Sequence, residues 1–229
     1  MSRRLRRLIR PAWLGTLRRT VPLSVHWGND RGTAIDRHYI EQFLSAHRED
    51  VRGRVLEVKN PDYIDRFGSR VEHADVVDID STNPLATVVA DLSAADGIPA
   101  EQYDCFICTQ TLQLIYDTKA AIAHAHRILR PGGVLLATVP SVSQIVHGPG
   151  LKYDYWRFTE PSCRALFGDV FGHDRITVRT HGNVLTCVAF LAGMAQEELS
   201  AAELAVEDPY FPMLVTVRAV KAGGPVARG

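Results

Sequence analysis

Asp80 and Asp91 each follow an apolar run of the sequence. Each of these two carboxylates lies at or near the predicted end of a buried strand. Ligands of a parallel α/β sheet bind at the carboxyl ends of its strands. A carboxylate in that position accepts hydrogen bonds from the hydroxyl groups of a ribose. The two acids therefore predict a nucleoside-binding edge, which the surrounding elements must build.

The elements around these acids alternate between strands and helices. The strands are apolar almost throughout, which indicates a sheet that is covered on both faces. Helical spacing of apolar residues over Asp117–Leu129 predicts a helix that Pro131-Gly132-Gly133 ends. This alternation predicts a parallel sheet with right-handed crossovers. Strands are predicted at 53–58, 75–80, 103–109, 133–139, 176–179 and 212–220, and further helices at about 36–47, 160–167 and 184–199.

The composition predicts one globular domain. The chain has 229 residues with 26 basic and 26 acidic side chains, and this zero formal net charge argues against a general nucleic-acid binder. Cys105 and Cys108 form a C-x-x-C pair, but in a strand residues three apart point to opposite faces. We interpret them as core residues, and no metal is expected. This cysteine use predicts a cytoplasmic protein, and no apolar run reaches membrane-spanning length.

The first 20 residues carry seven arginines interleaved with leucine, isoleucine and tryptophan. This pattern is typical of a helix on an anionic membrane surface or on an acidic partner, and a flexible or locally docked arm is the alternative. Arg10-Pro11 interrupts the apolar residues, which argues against a signal peptide. We expect a basic arm at 1–30, one domain at 31–221 with an insertion at about 181–211, and a loose tail at 222–229.

Over roughly residues 53–140, the strands, strand ends and loops described above follow one another in an order that resembles that of the class I S-adenosylmethionine-dependent methyltransferases. Asp154–Thr159 is similar to a segment that follows the fifth strand in many small-molecule methyltransferases. The resemblance implies a Rossmann-like, doubly wound α/β fold with a seven-stranded, mostly parallel sheet whose last strand is antiparallel. The matching motifs are Val55–Val58, Val77–Asp80, Ala90–Leu92, Tyr103–Leu112 and Arg127–Pro140.

The resemblance also implies a set of cofactor contacts. Asp80 corresponds to the family's ribose-binding acid, and Ile79 would flank the adenine. Asp91 corresponds to the acid that accepts the adenine amino group, with Leu92 packed on the ring. Glu57 corresponds to the acid of the family's first motif. Gln110 and Thr111 are expected beside the methionine end of the cofactor. Arg31, Asp36 and Arg37 are expected to close over the cofactor from the N-terminal side.

The loop after the first strand departs from the family pattern. The family's Glu-x-Gly-x-Gly-x-Gly is replaced by Glu57-Val58-Lys59-Asn60-Pro61-Asp62-Tyr63. The family's glycines permit a tight turn and a close approach of backbone to ligand. Either the loop follows another path and admits the cofactor, or the pocket is altered or blocked. Lys59 would also repel a sulfonium placed near it.

Methyl transfer mostly requires alignment of the nucleophile, the methyl group and the sulfur in a dry pocket. A hydroxyl acceptor benefits from a general base, for which His147 and Asp154 are the candidates. A solvated loop histidine is the alternative for His147, and a core residue is the alternative for Trp156. The residues expected to contact substrate are Tyr153, Trp156, Arg157 and His181.

These observations support three functional hypotheses. The first is O-methylation of a small polar metabolite, such as a sugar or a secondary-metabolite hydroxyl, with S-adenosylmethionine as cofactor. The second is a methyltransferase-fold protein that does not methylate: a pseudoenzyme, a partner subunit or a catalyst of another reaction. The third is a peripheral membrane or scaffold protein that uses its arginine-rich arm. A homodimer is a further possibility, with the 181–211 insertion as part of the substrate wall or the dimer surface.

Overall fold

The computed structural model describes residues 15–148 and 150–223. All seven strands found in these ranges belong to one sheet. They are β1 (Arg52–Val58), β2 (Arg70–Asp78), β3 (Val88–Val89), β4 (Tyr103–Thr109), β5 (Leu129–Pro140), β6 (Ile176–His181) and β7 (Leu214–Val220).

The strand order across the sheet is β3-β2-β1-β4-β5-β7-β6. Strands β1 to β5 run parallel to one another. Strand β7 is antiparallel to both β5 and β6, between which it lies. The predicted seven-stranded sheet with an antiparallel last strand is therefore confirmed.

Helices cover both faces of the sheet. One apolar core includes residues of α3 and α5, and the other includes residues of α1, α2 and α6. Cys105 belongs to the second core and Cys108 to the first, which confirms that they point to opposite faces of β4. The helices are α1 (Ile35–Ala46), α2 (Asp62–Phe67), α3 (Thr118–Ile128), α4 (Gly150–Tyr153), α5 (Glu160–Phe171), α6 (Val184–Ala192) and α7 (Ala201–Leu204).

Two helix ends differ from the predictions. Helix α3 ends at Ile128, and Pro131-Gly132-Gly133 lies within β5, because the chain is already extended at Leu129, with φ −71° and ψ 143°. Helix α6 ends at Ala192 and does not continue to residue 199. Gly193 adopts the left-handed conformation and its N–H donates to the carbonyl of Ala189, as in a common helix C-cap.

Part of the predicted arm is attached to the domain. The N–H of Leu23 donates to the carbonyl of Ala192 at 2.7 Å, and the indole of Trp27 donates to the hydroxyl of Ser143 at 3.1 Å. Residues 1–14 of the predicted arm and 224–229 of the predicted tail lie outside the described residues. Within the described ranges, the search for membrane-spanning helices finds none of sufficient length and hydropathy.

Candidate active site

A cavity of about 660 Å³ opens at the carboxyl ends of three neighbouring parallel strands. Val58 of β1, Asp78 of β2 and Thr109 of β4 contribute to its wall. This volume lies within the ~300–1,000 Å³ of ordinary small-molecule pockets. The position is the one at which parallel α/β sheets bind ligands, so this cavity is the candidate site.

Another cavity, of about 620 Å³, lies at the opposite edge of the sheet. Two of its four lining arginines, Arg130 and Arg218, pair with Asp104 and Asp50, at 2.7 Å in each case. These charges compensate one another, and the amino-terminal edge of a parallel sheet is not where such folds bind ligands. We therefore assign no site to this cavity.

The acid that β2 presents to the candidate site is Asp78. Strand β2 ends at Asp78, so the prediction that it ends at Asp80 is wrong. Asp78 and Ile79 line the cavity, whereas Asp80 is not part of its wall. One carboxylate oxygen of Asp80 accepts hydrogen bonds from the N–H and the hydroxyl of Thr82, at 2.9 and 2.7 Å. These bonds lower the pKa of Asp80 and hold its side chain in a local turn.

Asp91 and Leu92 line the same cavity. The Oδ1 atom of Asp91 accepts hydrogen bonds from the N–H and hydroxyl of Ser93, at 2.8 and 2.7 Å, and these fix the carboxylate at the start of a short 3-10 helix. Leu92 is buried, whereas Ile79 is 70% exposed. The wall thus offers apolar surface beside a hydrogen-bond acceptor, and the adenine contacts of these residues stay a prediction.

Glu57 folds the loop after β1 back onto α2. Its carboxylate accepts hydrogen bonds from the N–H of Tyr63 at 3.1 Å and of Ile64 at 2.8 Å. These are free N–H groups of the first turn of α2, whose N-cap residue, Pro61, makes no side-chain cap bond. Burial raises the pKa of Glu57 to about 7, although the two N–H donors act in the opposite direction.

We expect the stability of the protein to depend on the proton of Glu57. The pKa is higher in the folded state, so its contribution is present below the unfolded value of 4.5 and is lost as the pH rises through about 7. This shift corresponds to on the order of 3 kcal/mol in the free energy of unfolding. Urea unfolding at several pH values should show a flatter pH dependence for Glu57→Gln than for the unchanged protein.

The exposed Asp62, in the same helix turn, provides the control for this experiment. Asp62→Asn should make the pH dependence only slightly flatter, because the charge of Asp62 raises the pKa of Glu57 less than burial does. An equal slope in the Glu57→Gln variant and the unchanged protein would show that another group causes the loss.

The loop retains one backbone conformation that glycine normally provides. Lys59 occupies the first glycine position and has a φ of 76°, in the left-handed region that costs a residue with a side chain about 1–2 kcal/mol. Two hydrogen bonds hold it there, from its own N–H to the carbonyl of Val77 at 2.9 Å and from the amide of Asn83 to its carbonyl at 2.7 Å. The cavity lies open beside this loop, so the bulk of its residues does not fill the site.

Arg37 brings a cation to the cavity wall from α1. Its Nη1 donates to the hydroxyl of Tyr63 at 2.6 Å, and its guanidinium lies 5.9 Å from the centre of the Tyr63 ring. Tyr63 occupies the third glycine position, so the altered loop supports this cation. Arg66 also lines the cavity but is paired with Glu41 at 2.7 Å. Arg31, in contrast, pairs with Glu198 and is not part of the wall.

Gln110 and Thr111, predicted beside the methionine end of the cofactor, both line the cavity where β4 ends. Gln110 has a φ of 48°, and its N–H donates to the carbonyl of Thr138 at 2.9 Å. The hydroxyl of Thr111 donates to the carbonyl of Thr109 at 2.9 Å. These bonds fix the turn after β4, and the predicted contact with the cofactor stays a prediction.

Asp154 and Arg157 form an internal clamp. The guanidinium of Arg157 donates to both carboxylate oxygens of Asp154, at 2.5 and 3.2 Å, and the N–H of Val146 donates to the same carboxylate. Arg157 also donates to the carbonyls of Ser143 and Gln144. The Asp154 side chain is only 1% exposed. The structure therefore gives both residues a role in holding this segment together, and their roles as base and as substrate contact stay predictions.

His181 lies outside the cavity wall. Its Nδ1 lies 2.8 Å from the carboxylate of Glu207, and its Nε2 lies 3.0 Å from the hydroxyl of Thr216. The ring also stacks on Tyr39 at 5.8 Å. Both nitrogens are thus engaged in joining β6 to β7 and to the insertion, and the contact of His181 with substrate stays a prediction.

The remaining predicted residues lie around the rim. His147 and Tyr153 are exposed in the segment between β5 and α5, and neither is part of the cavity wall. The indole of Trp156 is 40% exposed and donates to the carbonyls of Ile115 and Tyr116, at 3.0 and 3.2 Å. His147 as the base and Tyr153 and Trp156 as substrate contacts stay predictions.

Sequence reasoning missed several residues of the wall. Asp78 could have been found, because the apolar run of β2 ends directly before it at Val77. The others had no sequence signal, because they reach the cavity through helix packing or through the turn after β4. They are Glu41, Arg66, Leu114 and Ile115.

Comparisons with known proteins agree with this geometry. A family model described as a methyltransferase domain matches residues 50–137. The fold is similar to that of a SAM-dependent methyltransferase from Archaeoglobus fulgidus, with a TM-score of 0.51 and 12% identity over 81% of this chain and 90% of that one. A search of curated proteins finds no match.

Two other solved structures show the same likeness of fold. The 1,6-didemethyltoxoflavin-N1-methyltransferase of Burkholderia thailandensis, with bound S-adenosylhomocysteine, has a TM-score of 0.53 and 18% identity over 86% of this chain and 83% of that one. The cyclase SpnF has a TM-score of 0.55 and 15% identity over 85% of this chain and 84% of that one. The match of residues 50–137 to a methyltransferase domain, the strand order and the position of the cavity therefore agree in showing a methyltransferase-like fold.

Proposed function

We propose that the protein transfers the methyl group of S-adenosylmethionine to a hydroxyl group of a small molecule. The observation that carries this proposal is the cavity at the carboxyl ends of β1, β2 and β4. Its wall combines carboxylates, apolar side chains and a cation, which are the groups that a nucleoside joined to an amino acid requires. The same cavity continues into a rim that carries exposed aromatic rings.

The wall residues fit the cofactor group by group. Ile79 and Leu92 offer apolar surface to the adenine, and Asp91 offers an acceptor for its amino group. Asp78 is placed to accept hydrogen bonds from the ribose hydroxyls. Arg37 is placed to donate to the carboxylate at the amino-acid end. When bound, the cofactor supplies an electrophilic methyl group on a sulfonium.

The protein's part in the reaction is to orient the acceptor and to exclude water. The acceptor oxygen forms the new bond to the methyl carbon while the bond between that carbon and sulfur breaks, and the sulfur leaves as a neutral thioether. The hydroxyl proton passes to a base or to water. His147, exposed in the segment after β5, remains the proposed base.

A second candidate function is a methyltransferase fold that binds the nucleoside without methylating. Two observations favour it. The glycine positions of the loop carry Lys59, Pro61 and Tyr63, and one protein of similar fold is a cyclase. Lys59 places a positive charge at the edge of the cavity, where it would oppose the charge of a sulfonium.

Calorimetric titration with S-adenosylmethionine and with S-adenosylhomocysteine tests the proposal. We expect both to bind in the micromolar range. Preference for neutral S-adenosylhomocysteine, with no methyl transfer to any hydroxyl compound, would favour the second function. If neither ligand binds at millimolar concentration, the proposal is overturned.

The proposal includes two further partners. The insertion offers a surface for a second copy of the chain, because α6 leaves Val184, Val188 and Leu191 exposed along one side. Residues 1–20 are proposed to contact an anionic membrane surface or an acidic partner, on the strength of their arginine-rich sequence.

A further inference from the structure

Three exposed aromatic rings stand together beside the cavity. Tyr116 is 71% exposed, Tyr155 is 43% exposed and Trp156 is 40% exposed. The Tyr116 ring meets that of Tyr155 edge to face at 5.4 Å, and lies 6.1 Å from that of Trp156 at an angle of 30°. We call these three residues the aromatic platform. A cluster of exposed aromatic side chains marks an interaction site more often than isolated apolar residues do.

Hydrogen bonds fix the aromatic platform in place. The indole N–H of Trp156 donates to the carbonyls of Ile115 and Tyr116. The backbone N–H groups of Tyr155 and Trp156 donate to the carbonyl of Gln113, at 2.9 and 3.2 Å. The indole of Trp156 and the backbone that carries Tyr155 are therefore ordered before any ligand arrives, which lowers the entropic cost of stacking there.

The aromatic platform is continuous with the cavity. Leu114 and Ile115 line the cavity, and the carbonyl of Ile115 is one of the two that hold the indole. Tyr116 follows directly in the chain. A molecule on the aromatic platform therefore lies at the mouth of the proposed cofactor site, where a methyl acceptor has to be.

The polar groups near the aromatic platform do not favour a strongly polar acceptor. Asp154 and Arg157 form an ion pair with each other, so their charges are already compensated. Among the described residues that line the cavity there is no histidine, and the buried carboxylate of Glu57 is occupied by two N–H groups. A phenol loses its proton far more readily than an alcohol does, with a pKa of about 10, and so needs less help from a base.

We propose that the acceptor is a flat, unsaturated ring that carries its own hydroxyl group and stacks on the aromatic platform. This inference rests on the proposed function and names the class of its substrate. Offset or edge-to-face contact between aromatic rings is the interaction that this arrangement offers. A saturated sugar, the other acceptor that the sequence suggested, can place its C–H groups on these rings but has no aromatic face of its own, so it lacks the contact between aromatic rings.

Binding of 2-naphthol and of its saturated counterpart decahydro-2-naphthol to the full chain, followed by saturation-transfer NMR, tests this inference. Both probes carry one hydroxyl group on the same carbon skeleton, so they differ in the unsaturation that makes the ring flat and the hydroxyl group more acidic. We expect 2-naphthol to bind roughly fivefold more tightly than the saturated alcohol, and Tyr116→Leu to remove roughly that factor. Tyr210→Leu is the matched control, because Tyr210 is 88% exposed and is not part of the cavity wall.

Equal binding of the two probes, or equal losses in the Tyr116→Leu and Tyr210→Leu variants, would overturn the inference. Tighter binding of methyl glucoside than of 2-naphthol would also overturn it, in favour of a carbohydrate. Calorimetry with S-adenosylhomocysteine on the Tyr116→Leu variant distinguishes a failure of this inference from a failure of the proposed function. Unchanged affinity for that ligand shows an intact fold, and the proposed function then stands whatever the naphthol result.

Discussion

Asp78→Ala weakens the binding of S-adenosylhomocysteine about 100-fold, which is the loss expected when a carboxylate no longer accepts two hydroxyl hydrogen bonds. The reason is the position of Asp78 at the end of β2, on the wall of the cavity. Calorimetry with S-adenosylhomocysteine and with methylthioadenosine measures the effect. Both ligands carry the ribose, so both should lose affinity to the same extent.

Asp80→Ala is the matched control for this prediction. Asp80 is the acid that the sequence pattern favours, but Thr82 occupies one of its carboxylate oxygens and it does not line the cavity. We expect its replacement to leave the affinity almost unchanged. A larger loss for Asp80→Ala than for Asp78→Ala would restore the sequence-based assignment. Asp78 also accepts hydrogen bonds from the side-chain amide of Asn83 at 2.7 Å and from the N–H of Asp80 at 3.0 Å, one on each carboxylate oxygen, so thermal unfolding of the variant must be compared.

Arg37→Met weakens the binding of S-adenosylhomocysteine at least about 10-fold and leaves the binding of methylthioadenosine unchanged. A hydrogen bond between a guanidinium and a carboxylate contributes about 1.5–3 kcal/mol. Methylthioadenosine lacks the amino-acid end and so has no carboxylate to lose. Methionine keeps most of the length and apolar surface of the arginine stem, so the variant removes mainly the charge that the hydroxyl of Tyr63 supports.

Arg66→Met provides the control within the same cavity. Arg66 lines the wall, but its guanidinium is half exposed and pairs with Glu41. An exposed ion pair of this kind contributes little, so we expect Arg66→Met to bind both ligands normally. Equal losses for S-adenosylhomocysteine and methylthioadenosine in Arg37→Met would show that Arg37 supports the fold of α1 and does not bind a carboxylate.

The altered glycine loop acquires a physical explanation from these contacts. Lys59 holds the left-handed turn without glycine, and Tyr63 supports Arg37 at the cavity wall. The family's loop brings backbone close to its ligand. In this chain, the cavity wall instead includes side chains that can donate hydrogen bonds: Lys59 and Asn60 from the loop, and Arg37 from α1. The Arg37 experiment therefore also tests whether the replaced glycines were compensated.

The sequence by itself determined the sheet and much of the cavity. Apolar runs placed β1 and β4 to within a residue, and the alternation of strands and helices predicted a parallel sheet with right-handed crossovers. Ile79, Asp91, Leu92, Gln110 and Thr111 all line the cavity, as expected of residues at strand ends. These outcomes follow from local burial, because the periodicity of apolar residues reports which segments are covered.

Only the tertiary structure decided which charged residues remain available to a ligand. Asp78 and Asp80 are two residues apart, so the alternation of side chains along a strand places both on the same face and cannot distinguish them. The point at which the pairing of β2 with β3 ends, at Asp78, does distinguish them. Asp154 forms an ion pair with Arg157, and the ring nitrogens of His181 lie within hydrogen-bond distance of Glu207 and Thr216. Such pairings depend on how segments distant in the sequence pack together, whereas a sequence pattern reports which segments are buried and not which side chains meet.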